Sequence, residues 1–196
     1  MLLLAFTVVF AISRWPGLMP PNFSPAYAIA FCAGLYLPGA MGWWGPLAIM
    51  STTDIALHFL FYSNFPFPWG TELGYLGLIA LGRLLGRKKP WWMLLGGGLM
   101  GAALFYLITN TQSWLYDPGY AKTFADWVRA LTTGLPGYPS TWEFFRNTLM
   151  SGGLFTGLFV GAMKLNEAAE EKEAEDKEEA EEPQPAKEPE AEGEKA

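Results

Sequence analysis

The placement of charge, more than its amount, constrains what this chain can fold into. Between Met1 and Lys164 there are nine Lys or Arg and five Asp or Glu, and nearly all of them fall between long apolar runs. An apolar run of about 17–25 residues crosses a bilayer as a helix, the form that satisfies its own backbone where water is absent. The pattern predicts an all-α integral membrane protein with about six spans, at Leu2–Ser13, Pro25–Pro38, Gly42–Tyr62, Glu72–Gly86, Trp91–Asn110 and Phe144–Lys164. The third, fifth and sixth have the length outright. The first, second and fourth are short, and would cross tilted, run on into loops or partly re-enter.

The remaining charge is concentrated at the end of the chain. Residues 166–196 hold four Lys and fourteen acids, which accounts for the net charge of −6. Rich in Ala, Glu, Lys and Pro, this stretch buries too little apolar surface to offset its ordering entropy. The expected division is a helical bundle over 1–164 and a disordered acidic tail over 165–196, with transient helix before Pro183.

A cleaved signal peptide competes for the N-terminus. MLLLAFTVVFAIS lacks a basic leading region and WPGLMPPN offers no small-x-small cleavage site, so a retained span is preferred. Cys32, the single cysteine, lies mid-span and reads as a small apolar packing residue. Arg83, Arg87, Lys88 and Lys89 lie between the fourth and fifth spans and Lys164 closes the sixth, so the positive-inside bias makes those ends cytoplasmic. Both termini are then inside. The outer face receives Arg14–Ser24, Ser63–Thr71 and Thr111–Glu143, the last long enough to carry a short helix near Phe124–Leu131.

Small residues recur at helical spacing. Gly153, Gly157 and Gly161 repeat every four residues, as do Gly97 and Gly101, and such faces let neighbouring backbones approach closely. The expected use is packing inside the bundle, with docking of another membrane subunit as the alternative. The sequence has no phosphate-cradling glycine motif, no CxxC and no HExxH, and contains one histidine. No cofactor, metal or nucleic-acid partner is expected.

Two constellations could bind or react. Asp54 and His58 stand four apart within STTDIALHFLF, on one helical face. An ionisable side chain at membrane depth costs about 2.5–3.5 kcal/mol even on the lenient scale, so Asp54 should face protein interior or a water-filled cavity. The competing reading makes Asp54 a bridge between helices and His58 an interfacial residue. The second constellation, FYLITNTQSWLYDPGY, places Asn110, Gln112, Trp114 and Tyr116 together. Interfacial Trp and Tyr are ordinary, but amides beside them also occur in the other outer loops, at Asn22 with Phe23 and at Asn64 with Phe65. Mostly apolar pockets with a few placed polar groups hold small organic ligands.

These residues carry a resemblance. PPNFSPAYAIAFCAGLYLP, the STTD step, LFYLITNTQSWLY and FFRNTLMSGGLFTGLFVGA, in that order, resemble an uncharacterised family of small bacterial membrane proteins related to the substrate-binding S components of energy-coupling factor transporters. The resemblance covers most of 14–164 and implies an S-component-like bundle in the bacterial inner membrane. It further implies an outward pocket for a vitamin-like micronutrient, capped by the first, third and fifth connections, and a separate transmembrane coupling subunit with two ATPases. One departure concerns the partner: the alanine-x-x-x-alanine face expected in the first span is missing, Ala5 and Ala11 being six apart. Ala26, Ala30 and Gly34 of the second span could replace it, or the protein acts alone.

The expected function is therefore a non-enzymatic binding subunit using Asn22, Phe23, Asp54, His58, Asn110, Trp114 and Tyr116. A membrane scaffold working through its glycine faces and acidic tail is the alternative. An enzyme built on Asp54 and His58 ranks last, because two groups on one helix do not supply nucleophile, base and electrophilic stabiliser together.

Overall fold

The computed structural model of the chain describes residues 8, 10–61 and 67–181. Among these residues the regular structure is entirely helical. A helical segment ending at Ser13 precedes six helices: α1 (Ala26–Tyr36), α2 (Met41–Phe61), α3 (Trp69–Leu85), α4 (Trp91–Tyr116), α5 (Phe124–Ala130) and α6 (Thr141–Glu181). Most of the expected first span, including Ala5, lies outside the described residues, as do Asn64, Phe65 and 182–196. The chain divides into two compact units, Met1–Ala162 and Met163–Ala196.

Of the expected spans, two have both the length and the apolar content to cross a membrane: α4 and the Thr141–Lys177 part of α6. At 21 residues α2 has the length, but STTD and His58 interrupt its apolar sequence. The 11 residues of α1 and the 17 of α3 are shorter than a span usually needs.

Helix α1 is the centre of the first unit, apolar all round and buried on nearly every residue. Its small residues explain how this is possible. A Cβ on Gly34 would collide with the backbone carbonyl of Ile79, and one on Gly82 with that of Phe31. α1 and α3 therefore touch backbone to backbone, a separation that only glycine allows at the crossing. Ala26 and Ala30 are buried on the same helix, so the second-span small-residue face is covered within this chain. Gly97 and Gly101 of α4 likewise pack inward, where a Cβ would press on Leu85 and Phe31 or on Leu78.

The late glycine stripe has a different position from the one its spacing suggests. On α6 the packed positions include Thr148, Ser151, Gly152, Thr156, Phe159 and Val160, with Gly152 against Ala102 and Thr156 against Gly98 of α4. Gly153 meets Leu99, whereas Gly157 is exposed and Gly161 has open space where a Cβ would project. Periodicity finds a face but not its phase. Here Thr148, Ser151 and Thr156, followed by Phe159 and Val160, took the interior, and Met150, Leu154 and Leu158, each more than half exposed, took the outside.

Beyond the first unit, α6 continues to Glu181 through the solvated tail, where the sequence predicts transient helix before Pro183. Ala, Glu and Lys are good helix formers, and Lys164–Glu167, Asn166–Glu170 and Lys177–Glu173 pair along it at 2.7–3.0 Å. Such exposed pairs add only a few tenths of a kcal/mol each.

Candidate functional site

One end of the first unit gathers the loop 14–24, the start of α3, the ends of α2 and α4, and the start of α6 around a cavity of about 1020 Å³. Five of the residues expected from the sequence line it: Asn22, Phe23, Asp54, His58 and Asn110. Trp114 and Tyr116 do not. Trp114 belongs to a separate shallow recess with Lys122, Phe124 and Trp127, and Tyr116 is 62% exposed at the end of α4.

The loop owes its shape to local chemistry. Asn22 adopts φ 59°, the left-handed region that asparagine tolerates better than most residues. Two side chains fix that turn by its carbonyls: the Tyr27 hydroxyl donates to Asn22 O at 3.0 Å and Asn147 Nδ2 donates to Pro21 O at 2.9 Å. Phe23, carried by the same turn, packs edge-on against Phe155 with centroids 6.0 Å apart.

The electrostatic centre is an ion pair that the sequence did not announce. Arg14, at the end of the first helical segment, reaches Asp54 Oδ1 of α2. Asp54 is 5% exposed and Arg14 22%. The guanidinium also lies 5.7 Å from the Phe10 centroid and interacts with the Tyr75 hydroxyl. Four residues on, His58 stands edge-on to Phe59 and Phe67, at 5.4 and 5.6 Å between centroids. A signal for the pair did exist: a buried acid in an apolar run needs a nearby cation, and Arg14 is the only Lys or Arg before residue 83.

Amides of α4 divide between binding and construction. Asn110 Nδ2 donates to Tyr106 O at 2.9 Å, which leaves its carbonyl oxygen for the cavity it lines. Gln112 instead clamps the start of α3, donating to Phe67 O at 3.2 Å and accepting from Gly70 N. Tyr27, Tyr75, Phe105 and Thr109 complete much of the wall. In the sequence alone, tyrosine and phenylalanine inside spans are indistinguishable from packing residues.

The connection from α4 to α6 is a built structure. Thr123 caps α5, accepting from Asp126 N at 3.2 Å. The Tyr106 hydroxyl donates to Leu131 O at 2.8 Å, and Trp127 Nε1 to Thr111 Oγ1 at 3.0 Å. Arg129 bridges Asp126 and Gly119 O, each at 3.0 Å, and covers the Tyr120 ring. Burial pushes the Tyr120 hydroxyl above its ordinary range; Asp117 and Asp126 add to this and Arg129 opposes it.

No group of three or more His, Cys, Asp or Glu able to hold a metal occurs among the described residues. What the site can do is enclose a small molecule between aromatic walls and present it with a carboxylate, an amide and an imidazole. No curated protein and no solved structure matches the chain. A family model does match residues 1–174, and the chain belongs to that family, DUF6580, a family of unknown function.

Proposed function

We propose that this protein is a membrane-embedded binding subunit for uptake of a small organic micronutrient, resembling the S components of energy-coupling factor transporters. The observation that carries the reading is the cavity of about 1020 Å³, lined by aromatic rings and a few polar groups at the end where the connections gather. Ligand pockets typically measure about 300–1,000 Å³ and share that mixture. Residence in the inner membrane as a bundle of about six spans, with both termini cytoplasmic, is part of the proposal. It is supported by the length and apolar content of α4 and α6 and by the exposure of Met150, Leu154 and Leu158 on α6, whose buried positions include Thr148, Ser151 and Thr156 beside Phe159 and Val160. Small hydroxyl residues at a helix contact and large aliphatic ones facing outward suit a lipid surround. The reading is compatible with a separate coupling subunit that carries ATPases, the 196 residues containing no recognisable nucleotide-binding motif, and equally with a protein that acts alone.

Native mass spectrometry of protein purified from its membrane tests the proposal. A co-purified organic molecule that is lost on Asn110→Ala is the expected result. An empty protein that is also indifferent to a panel of vitamins in thermal-shift assays would overturn it.

A further inference from the structure

Several polar groups in the wall of the cavity are turned so that they present acceptors. Ser13 Oγ donates to Phe10 O at 2.7 Å, Thr109 Oγ1 to Phe105 O at 3.0 Å, Ser113 Oγ to Thr109 O at 3.2 Å, and the Tyr27 hydroxyl to Asn22 O. Asn110 likewise directs its NH₂ at its own helix. With their protons held by backbone carbonyls, these lining groups offer oxygen lone pairs to anything in the cavity. Ser24 instead accepts from Ala26 N at 3.2 Å, and Trp15, His58, Thr71 and Tyr75 bring donors of their own to the lining.

The fixed charges lean the same way. Arg14 and Asp54 are the Lys, Arg, Asp or Glu residues that line the cavity. Behind the wall, Glu72 Oε2 accepts from Ser51 Oγ at 2.5 Å, Oε1 is buried without a hydrogen-bond partner, and the carboxylate acts on the lining Tyr75. The lining itself therefore holds one arginine and one carboxylate, with a second carboxylate, Glu72, behind it. Asp54, 5% exposed, binds Arg14 through Oδ1, while Oδ2 is buried with no hydrogen-bond partner. A buried carboxylate oxygen without a donor is costly. The terminal carboxylate torsion is soft, so a modest turn presents Oδ2 to the cavity.

We propose that the ligand carries a cationic nitrogen, an ammonium or amidinium group on a compact apolar body, and that Asp54 is its counter-ion. This deepens the binding-subunit reading above and rests on it for the use of the cavity. A donor-rich cation satisfies Asp54 Oδ2 and the Asn110 carbonyl together. The rings of Trp15, Tyr27, Tyr75 and Phe105 add the faces on which cations are held. An anion would have Arg14 as its one cationic partner in the lining: its Nε is also buried without a hydrogen-bond partner, but its guanidinium is held by Asp54.

Three probes of one size and shape separate the charges: benzamidine (cation), benzamide (neutral) and benzoate (anion). Full-length protein in detergent is titrated with each, read by thermal shift and by tryptophan fluorescence. Benzamidine should bind at about millimolar Kd, at least about tenfold more tightly than benzamide, with benzoate weakest. In Asp54→Asn that advantage should fall below about threefold while elution and helix content stay unchanged. Should Asp54→Asn not fold, Asp54→Glu keeps the charge and should keep the wild-type order. Equal responses, benzoate in front, or no response to any probe overturns the proposal. So does a neutral or anionic co-purified molecule that benzamidine cannot displace, which would leave the uptake reading standing. Selective benzamidine binding by a protein that carries no micronutrient supports the cation site and removes the uptake reading instead.

Discussion

The two ends of the bundle are built on opposite rules. At one, α1 and α3 cross with Gly34 and Gly82 in backbone contact, and Arg83 donates to Gly39 O while lying 5.5 Å from the Trp43 centroid. Nothing larger than glycine fits the crossing. At the other, the same helices contribute Ala26, Tyr27, Thr71 and Tyr75 to the wall of a cavity in which Asp54 Oδ2 and Arg14 Nε lack hydrogen-bond partners. A close-packed end can hold helix angles rigidly enough that the open end keeps its shape without filling it. The glycines thus serve the cavity from a distance.

The comparison can be broken first at the tight end. Gly34→Val drives side-chain atoms into the Ile79 carbonyl and should cost above about 3 kcal/mol, seen as loss of a monodisperse peak in fluorescence-detected size exclusion. At the open end, Arg14→Met leaves Asp54 buried and unpaired. The expected loss is about 2–3 kcal/mol, short of the 3–5 of a fully buried pair because Arg14 is 22% exposed. Adding Asp54→Asn should return about 1 kcal/mol by thermal unfolding, since the uncompensated charge is then gone. Asn110→Ala should leave the melting temperature within a degree or so but weaken ligand binding about tenfold, the worth of one hydrogen bond. The smallest effect belongs to α6. Gly157→Ala meets only ordinary contact with Leu95 at 3.9 Å and should be neutral or stabilising by up to about 1 kcal/mol. Gly98→Ala, which presses on Thr156, should destabilise measurably.

Particular residues show where sequence reasoning reached and where it stopped. Asp54 was conspicuous because an acid in an apolar run violates a strong rule, and such violations mark sites that need an explanation. The helix Phe124–Ala130 was legible as a local pattern within a long connection. Arg14 was not read as the partner of Asp54, because the two are forty residues apart and their meeting depends on how the first helical segment packs. Trp114 and Tyr116 adjoin Asn110 in sequence, yet one or two helical turns carry them past the rim of the cavity. The glycine stripe of α6 was visible as a period, but which side of it faces inward depends on the partner surface of α4. The helix beyond Ala162 is local propensity acting alone, and composition argued against order there while individual residues argued for it.

The turn at Asn22 has one more consequence. Its two successive carbonyls, Pro21 and Asn22, are held by Asn147 of α6 and Tyr27 of α1, so the roof is tied to the walls. A roof so tied opens only when helices shift, on microseconds to milliseconds rather than the nanoseconds of a free loop. The dwell time of a captured molecule would then be set by the bundle, and loosening Asn147 should shorten it before it weakens the fold.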